Sequence, residues 1–353
     1  MSEASSFRNR IREQREGRQW SQDELARRSG LSRAGISAIE TGRLVPSTAA
    51  ALMLAAALDC RVEDLFALRS SSPSRAEWAW RDGRGSSRCW VAEVGGAVRL
   101  YPAELTAMGM LPHDGNGGVD DHAGPGGPDP RQALVMAGCD PAVGLLAAVL
   151  ARVAPIRLLP FQRSSAAALG LLQQGLVHVA GIHLGRAGAA GGNAAIVRDR
   201  LGPGYSLLRV GRWEEGVATD PRLKLGSVAA AVAARVRWVG REAGSGARDC
   251  LDEIFAGRPA PRHLARDHRG VAEAIRGGWA GAGVCLRLAG DEQGLDFLPV
   301  RQEDYDLCFP TGWGDDPRLR ALVEAVRSPA YRRALADLPG LDATDAGAIV
   351  RVE

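Results

Sequence analysis

The chain has 353 residues, 46% of them hydrophobic, and a formal net charge of +3. That length calls for two or three domains, and no apolar run approaches the roughly 18 residues needed to cross a bilayer. The mild charge does not by itself announce nucleic acid. Six cysteines (Cys60, Cys89, Cys139, Cys250, Cys285, Cys308) without a Cys-x-x-Cys pair read as reduced thiols in a cytoplasmic protein, not as a structural zinc site. Met1 to Trp20 has no apolar core segment, so no signal peptide is expected.

Trp20 to Gly42 reads WSQDELARRSGLSRAGISAIETG. Ser21 followed by Glu24 is a capping-box pattern, with Trp20 placed to staple onto Leu25. The helix should stop at Ser29-Gly30, where glycine supplies a left-handed C-terminus. Ser32 then caps a second helix, with Leu31 stapling onto Ile36, and Gly42 ends it. Two short helices around a glycine turn form a helix-turn-helix unit, whose second helix faces the major groove. Arg33, Ala34 and Ser37 lie off the Ile36/Ile39 core face and, with the cap Ser32, are the DNA-binding candidates of this helix; Arg33 is the candidate for a guanine edge. Gln22 and Arg43 suit phosphate oxygens.

These residues resemble the Cro/repressor-like (XRE-type) helix-turn-helix family. The match runs through Gln22-Asp23-Glu24-Leu25-Ala26, Gly30-Leu31-Ser32, Ile36-Ser37-Ala38-Ile39-Glu40, Gly42 and Pro46-Ser47. It extends over about residues 6–68 and implies an all-α DNA-binding head within residues 1–69. A double-stranded DNA operator and a homodimer reading paired half-sites follow by analogy. Gly35 departs from the family pattern, which has a larger side chain there.

Residues 70–132 read as a linker. Ser70 to Ser74 is a short joint, RCWVAEV and AVRLYP predict a small β element, and His113 to Pro130 is dense in Gly, Pro and Asp. His113, Asp114, Asp120, Asp121 and His122 have no fixed geometry there to select a metal.

From Ala133 short apolar strands alternate with helices: ALVMAGC, AVGLLAAVLARV, IRLLPF, SSAAALGLLQQG and VHVAGIHL. That order predicts parallel strands with ligand loops at their carboxyl ends. Those ends carry Cys139-Asp140, Arg163-Ser164-Ser165, His183, and the run Arg241 to Arg248. Gly244, Ser245, Gly246 and Ala247 within that run open a further helix. Serine-bearing helix starts favour a negatively charged ligand. Arg163, Arg241 and Arg248 are candidate clamps for a carboxylate or phosphate.

The same stretches resemble the cytoplasmic substrate-binding-like (PBP-like) domains related to molybdate-binding proteins and fused to DNA-binding modules. GCDPAVGLLA, RSSAAALGLLQQG, HVAGIHL, Asn193, RWEEG, REAGSGARDCLDE, HRGVAEAIRGGWAGAGVCL, GLDFLPV and EDYDL carry the likeness over about residues 133–308. It implies an α/β, type II periplasmic-binding-protein-like domain over 133–353. One lobe spans about 133–212 plus 297–353 and the other about 213–296, with GAGVCL and LDFLPV as crossing segments. It brings Glu215 and Tyr305 into the candidate ligand set beside Cys139, Asp140, Ser164, Ser165, His183, Arg241, Gly244, Ser245, Gly246, Ala247 and Arg248. Molybdate or tungstate is the ligand it suggests, although Ala247 stands where the family has threonine and Arg163-Ser164 replaces a Gly-Ser pair.

The expected function is a bacterial transcriptional regulator sensing a small anion, without a cofactor, a membrane partner or enzymatic activity. Cys139 or Cys250 with His178 or His183 would supply a nucleophile and base, and Cys250 sits at a helix start that would lower its pKa. His178 and His183, however, fall on opposite faces of one strand, and no third orienting residue stands out. Thiol or metal sensing through Cys139, Cys250 and a histidine stays open as a second regulatory reading.

Overall fold

The computed structural model describes residues 7–68, 76–80, 88–116, 128–185, 188 and 191–353. The Ser70–Ser74 joint and Asp120, Asp121 and His122 lie outside them. The chain divides into two compact units, Met1–Arg75 and Ala76–Glu353.

In the first unit, strand β1 (Phe7–Asn9) precedes helices α1 (Ile11–Gly17), α2 (Gln22–Ser29), α3 (Arg33–Glu40), α4 (Thr48–Ala57) and α5 (Val62–Leu65). Strand β2 (Phe66–Leu68) then closes the unit antiparallel to β1. Local chemistry sets the ends. Ser21 Oγ accepts from the Glu24 amide at 3.1 Å, Ser32 Oγ accepts from the Gly35 amide at 3.0 Å, and Gly30 adopts φ +72°. The capping box is one-sided, because the Glu24 carboxylate pairs with Arg27 and Arg28 instead of reaching back to the cap. Ile11, Leu25, Ile36, Ile39, Leu54, Leu58 and Leu65 form the core, with Trp20 and Leu31 packed against it. A Cβ at Gly35 would stand 3.1 Å from Ser32 Oγ, so the small residue leaves the cap room. Ser32→Ala is expected to cost about 1 kcal/mol of head stability, read from the first thermal transition by circular dichroism.

In the second unit, β3 (Glu77–Trp78), β4 (Cys89–Val94) and β5 (Ala97–Pro102) form a three-stranded sheet. It is no free linker: Trp90, Ala92, Val94 and Tyr101 share a core with Leu159, Phe161, Ala168 and Leu169. Asp114 is part of the same packing. It pairs with Arg157 at 2.5 Å and accepts from the Val91 amide at 2.8 Å, which is a structural role.

Then come β6 (Ala133–Gly138), α6 (Val143–Val153), β7 (Arg157–Gln162), α7 (Ser165–Gln173), β8 (Val179–Ile182) and α8 (Gly192–Leu201). The long β9 (Tyr205–Thr219) leads to α9 (Val228–Ala233), β10 (Trp238–Val239), α10 (Gly246–Phe255), α11 (His268–Arg276), β11 (Ala282–Leu286) and α12 (Arg287–Glu292). The second long strand β12 (Asp296–Pro310) precedes α13 (Pro317–Arg327), α14 (Pro329–Ala336), β13 (Leu341–Asp342) and β14 (Ile349–Val352). The strand order is β10-β11-β9-β12-β8-β6-β7, with β13 and β14 also on β9. β6, β7 and β8 run parallel, and every residue of β6 is buried, as a strand covered on both faces requires.

The 15-residue strands β9 and β12 pair along their whole length and join the two lobes. LDFLPV therefore belongs to a crossing strand, but GAGVCL does not. Its residues form β11, a short strand buried inside lobe two and paired with Glu215–Thr219. The second crossing segment is RVGRWEEG of β9. The register of β12 shifts between Pro299 and Arg301 and between Tyr305 and Asp306. The two irregularities bracket the crossover and re-aim the side chains between them. Residues 297–299 pair with the lobe-two end of β9 and so lie in lobe two.

Candidate functional site

Alternation along β12 places Arg301, Glu303 and Tyr305 on one face, opposite Glu215, Trp213 and Gly211 of β9. This row is the floor of the cleft between the lobes. Trp213 stacks on Tyr305 with centroids 3.9 Å apart, and both are buried. Above the floor, the carboxyl end of β6 delivers Cys139 and Asp140, and the end of β8 delivers His183. From lobe two come Arg241, the start of α10 and the start of α11. The lobes touch: the Ala166 amide donates to the Gly244 carbonyl at 3.1 Å, and Arg301 Nη2 donates to the Gly246 carbonyl at 2.9 Å. A Cβ on Gly246 would sit 2.4 Å from the His183 carbonyl oxygen, so only glycine permits this approach.

His183 is the hub. Its Nε2 lies 3.0 Å from Cys139 Sγ, its Nδ1 lies 2.5 Å from Glu303 Oε2, and its amide donates to Ser165 Oγ at 3.2 Å. Burial disfavours its cation, but Cys139 and Glu215 outweigh that and carry its pKa above the ordinary value. Glu303 is the orienting group that the sequence did not reveal; Arg301 in turn holds Glu303 and Glu215. Burial pushes Glu215 up to about 8, Asp140 up to about 7, and Glu303 up to about 7 despite Arg301. His268 goes the other way: burial and the nearby Arg241 push it well below its ordinary value.

Several buried polar atoms here have no hydrogen-bond partner among the described residues: Arg241 Nη1, Trp213 Nε1, Tyr305 Oη, Asp140 Oδ2, Glu215 Oε1 and both ring nitrogens of His268. Such groups cost free energy unless something pairs with them. Arg241 has a fully buried side chain, and its ion-pair partner among the described residues is the partly exposed Glu242 at 3.2 Å.

Of the candidate residues, Cys139, Asp140, Ser164, Ser165, His183, Glu215, Arg241, Gly244, Ser245, Gly246 and Tyr305 converge on this cleft. Ser164 and Ser245 are the N-caps of α7 and α10, holding the Ala167 and Arg248 amides. Four sequence-based expectations fail. Ala247 points into the lobe-two core with Cys250 and Leu251. Arg248 folds back along α10 to Asp252 at 2.9 Å. Arg163 pairs with Glu104 at 2.7 Å and lies over Trp80, facing the three-stranded sheet. Cys250 is buried, and desolvation raises its thiol pKa, so its helix start does not activate it. His178 lies away from the cleft, between the Val135 amide and the Glu93 carbonyl. Trp213, His268, Arg301 and Glu303 were missed; the Arg-x-Glu-x-Tyr alternation and the Asp267 cap before His268 are the signals that could have found them.

In the head, Ser32, Arg33, Ala34 and Arg43 are exposed and Ser37 is half-buried. Arg33 faces Asp23 at 3.6 Å, with both side chains largely in solvent. Gln22 is committed elsewhere, because its amide donates to Glu40 at 2.9 Å, and Glu40 also pairs with the buried Arg15 at 2.7 Å.

Residues 147–327 match the family model of the PBP superfamily domain, which is just over half of the 353 residues. The chain belongs to the PBP superfamily. Residues 11–65 ahead of the PBP domain match the helix-turn-helix family. A curated relative, the uncharacterized protein YvgK of Bacillus subtilis (strain 168), is 30% identical over 124 residues, covering 33% of this chain. The match spans 40% of that relative's length. Among solved structures, a putative phosphate transporter substrate-binding protein with bound phosphate from Clostridium perfringens aligns at a TM-score of 0.47 and 11% identity, over 60% of this chain and 98% of its own. PhnD1 from Prochlorococcus marinus with methylphosphonate aligns at 0.43 and 11% identity, over 63% and 93%. The MetR regulatory domain from N. meningitidis aligns at 0.42 and 14% identity, over 60% and 98%. Among the described residues, no helix is long and apolar enough to cross a membrane.

Proposed function

We propose that the chain is a ligand-responsive transcriptional regulator whose cleft closes on a small anion. The observation that carries this reading is Arg241: a fully buried guanidinium with Nη1 unpartnered among the described residues, close enough to His268 at the start of α11 to shift its pKa. Helix starts and a desolvated arginine both favour negative charge. Tyr305 Oη and Trp213 Nε1 supply further donors. Tetrahedral oxyanions such as molybdate or tungstate, and small carboxylates or phosphates, share this chemistry. The cleft is two-state, and the anion acts by binding the closed state better. Two heads of a homodimer would read paired half-sites. Thermal-shift titration of the full chain with molybdate, tungstate, sulfate, phosphate and carboxylates tests the reading; no stabilisation by any anion refutes it.

Arg33→Ala should weaken operator binding by about 10- to 100-fold and relax sequence preference at one base position, as gel-shift titration would show. An unchanged affinity would mean that another residue reads the groove.

Anion binding should weaken as pH rises from about 6 to about 9. The buried carboxyls of Asp140, Glu303 and Glu215 have raised pKa values near 7 to 8 in the closed form, so closure favours their protonated states. That contribution is complete at low pH and is lost as pH climbs through those values, when like charge also repels the ligand. Calorimetric titration across this range checks the sign.

A further inference from the structure

Anion binding leaves one group of cleft residues without a use. Cys139, His183 and His268 are all buried, and a ligand atom of each lies within 4.8 Å of the others. We propose that these three side chains form a binding site for a divalent transition-metal ion of the zinc and cobalt class. A thiolate and two imidazoles are a ligand set suited to such ions, and three protein ligands leave a fourth tetrahedral position open.

The geometry around the ligands supports the assignment. The Nδ1 of His183 is held by Glu303 at 2.5 Å, which leaves Nε2 facing Cys139. A carboxylate on the far nitrogen is the outer-shell partner that metal-binding histidines usually have. His268 is fully buried with neither ring nitrogen hydrogen-bonded among the described residues. It is fixed at the first turn of α11, where Asp267 caps the Gly270 amide at 2.7 Å. An imidazole buried in this way is costly unless it meets a ligand. Cys139 and His183 come from lobe one and His268 from lobe two, so an ion bound by all three ties the lobes together. On binding, the Cys139 thiol and the His183 Nε2 position release their protons to solvent. Metal affinity therefore rises with pH, opposite to the direction expected for the anion.

The test is titration of chelator-treated full-length protein with cobalt(II) alone. The expected result is one cobalt per chain, a thiolate-to-cobalt charge-transfer band in the near ultraviolet, and displacement by zinc. Cys139→Ser should abolish the band, while Cys250→Ala, in the lobe-two core, should keep it. His268→Ala should weaken cobalt binding, and Glu303→Gln should weaken it by about 10- to 100-fold. X-ray absorption at the cobalt edge of the unmutated protein gives the same answer without a variant: one sulfur and two imidazoles. A missing band, a band that survives Cys139→Ser, or a sulfur-free shell overturns the proposal. Arg241→Ala should lose anion binding yet keep the cobalt band, so failure of the anion reading and failure of the metal site are separately visible.

Discussion

Arg241→Ala should weaken anion binding by at least about 30-fold, because truncating one member of a buried, hydrogen-bonded charge pair costs about 2–5 kcal/mol. The side chain is fully buried, and Glu242, which pairs with it at 3.2 Å, is partly exposed. In the closed cleft the guanidinium is therefore desolvated without full compensation from the described protein groups. Removing it should leave the melting temperature measured without anion unchanged or raised, since an incompletely paired buried charge opposes folding. Lost binding with retained stability separates a ligand contact from a structural one. Arg241→Lys should recover only part of the affinity, because ammonium keeps the charge but not the planar fork. A variant that unfolds, or that binds every anion normally, contradicts this role.

Gly246→Ala should weaken the anion response by about 10- to 100-fold through closure and not through contact. Gly246 begins α10 in lobe two, and the added carbon would lie 2.4 Å from the His183 carbonyl oxygen and 2.6 Å from Nδ1 in lobe one. Those atoms face it only when the lobes meet, so the clash taxes the closed state and spares the open one. Gly244 makes a second close approach, at φ +83° and with its Cβ position 2.6 Å from Ala166 Cβ. Small-angle scattering with and without anion should show Gly246→Ala remaining extended where the unmutated chain contracts. Normal closure by the variant would mean that the lobes pack differently when ligand binds.

The head was legible in the sequence because its determinants are local. Ser21, Gly30 and Ser32 act within a turn of where they sit, and the structure places caps and the left-handed glycine there. Even so, Glu24 turned to Arg27 and Arg28, since nearby guanidinium groups competed for the same carboxylate. The cleft was legible only in outline. Strand ends marked Cys139, Asp140 and His183, but their use depends on Glu303, 120 residues from His183, and on His268 from the other lobe. Periodicity within α10 could have corrected two assignments: Ala247, Cys250 and Leu251 fall on one helical stripe, and that stripe is buried in lobe two. The crossing strand β9 was missed because a 15-residue strand shared by two lobes changes faces' surroundings midway and shows no single pattern.

Operator affinity of the full-length protein, measured with and without saturating anion in the unmutated chain and in Arg241→Ala, tests the regulatory account most directly. Anion should shift operator affinity of the unmutated chain, and the variant should bind operator like the anion-free protein whether or not anion is present. An operator affinity indifferent to every anion that stabilises the protein, or an equal shift in Arg241→Ala, would contradict it.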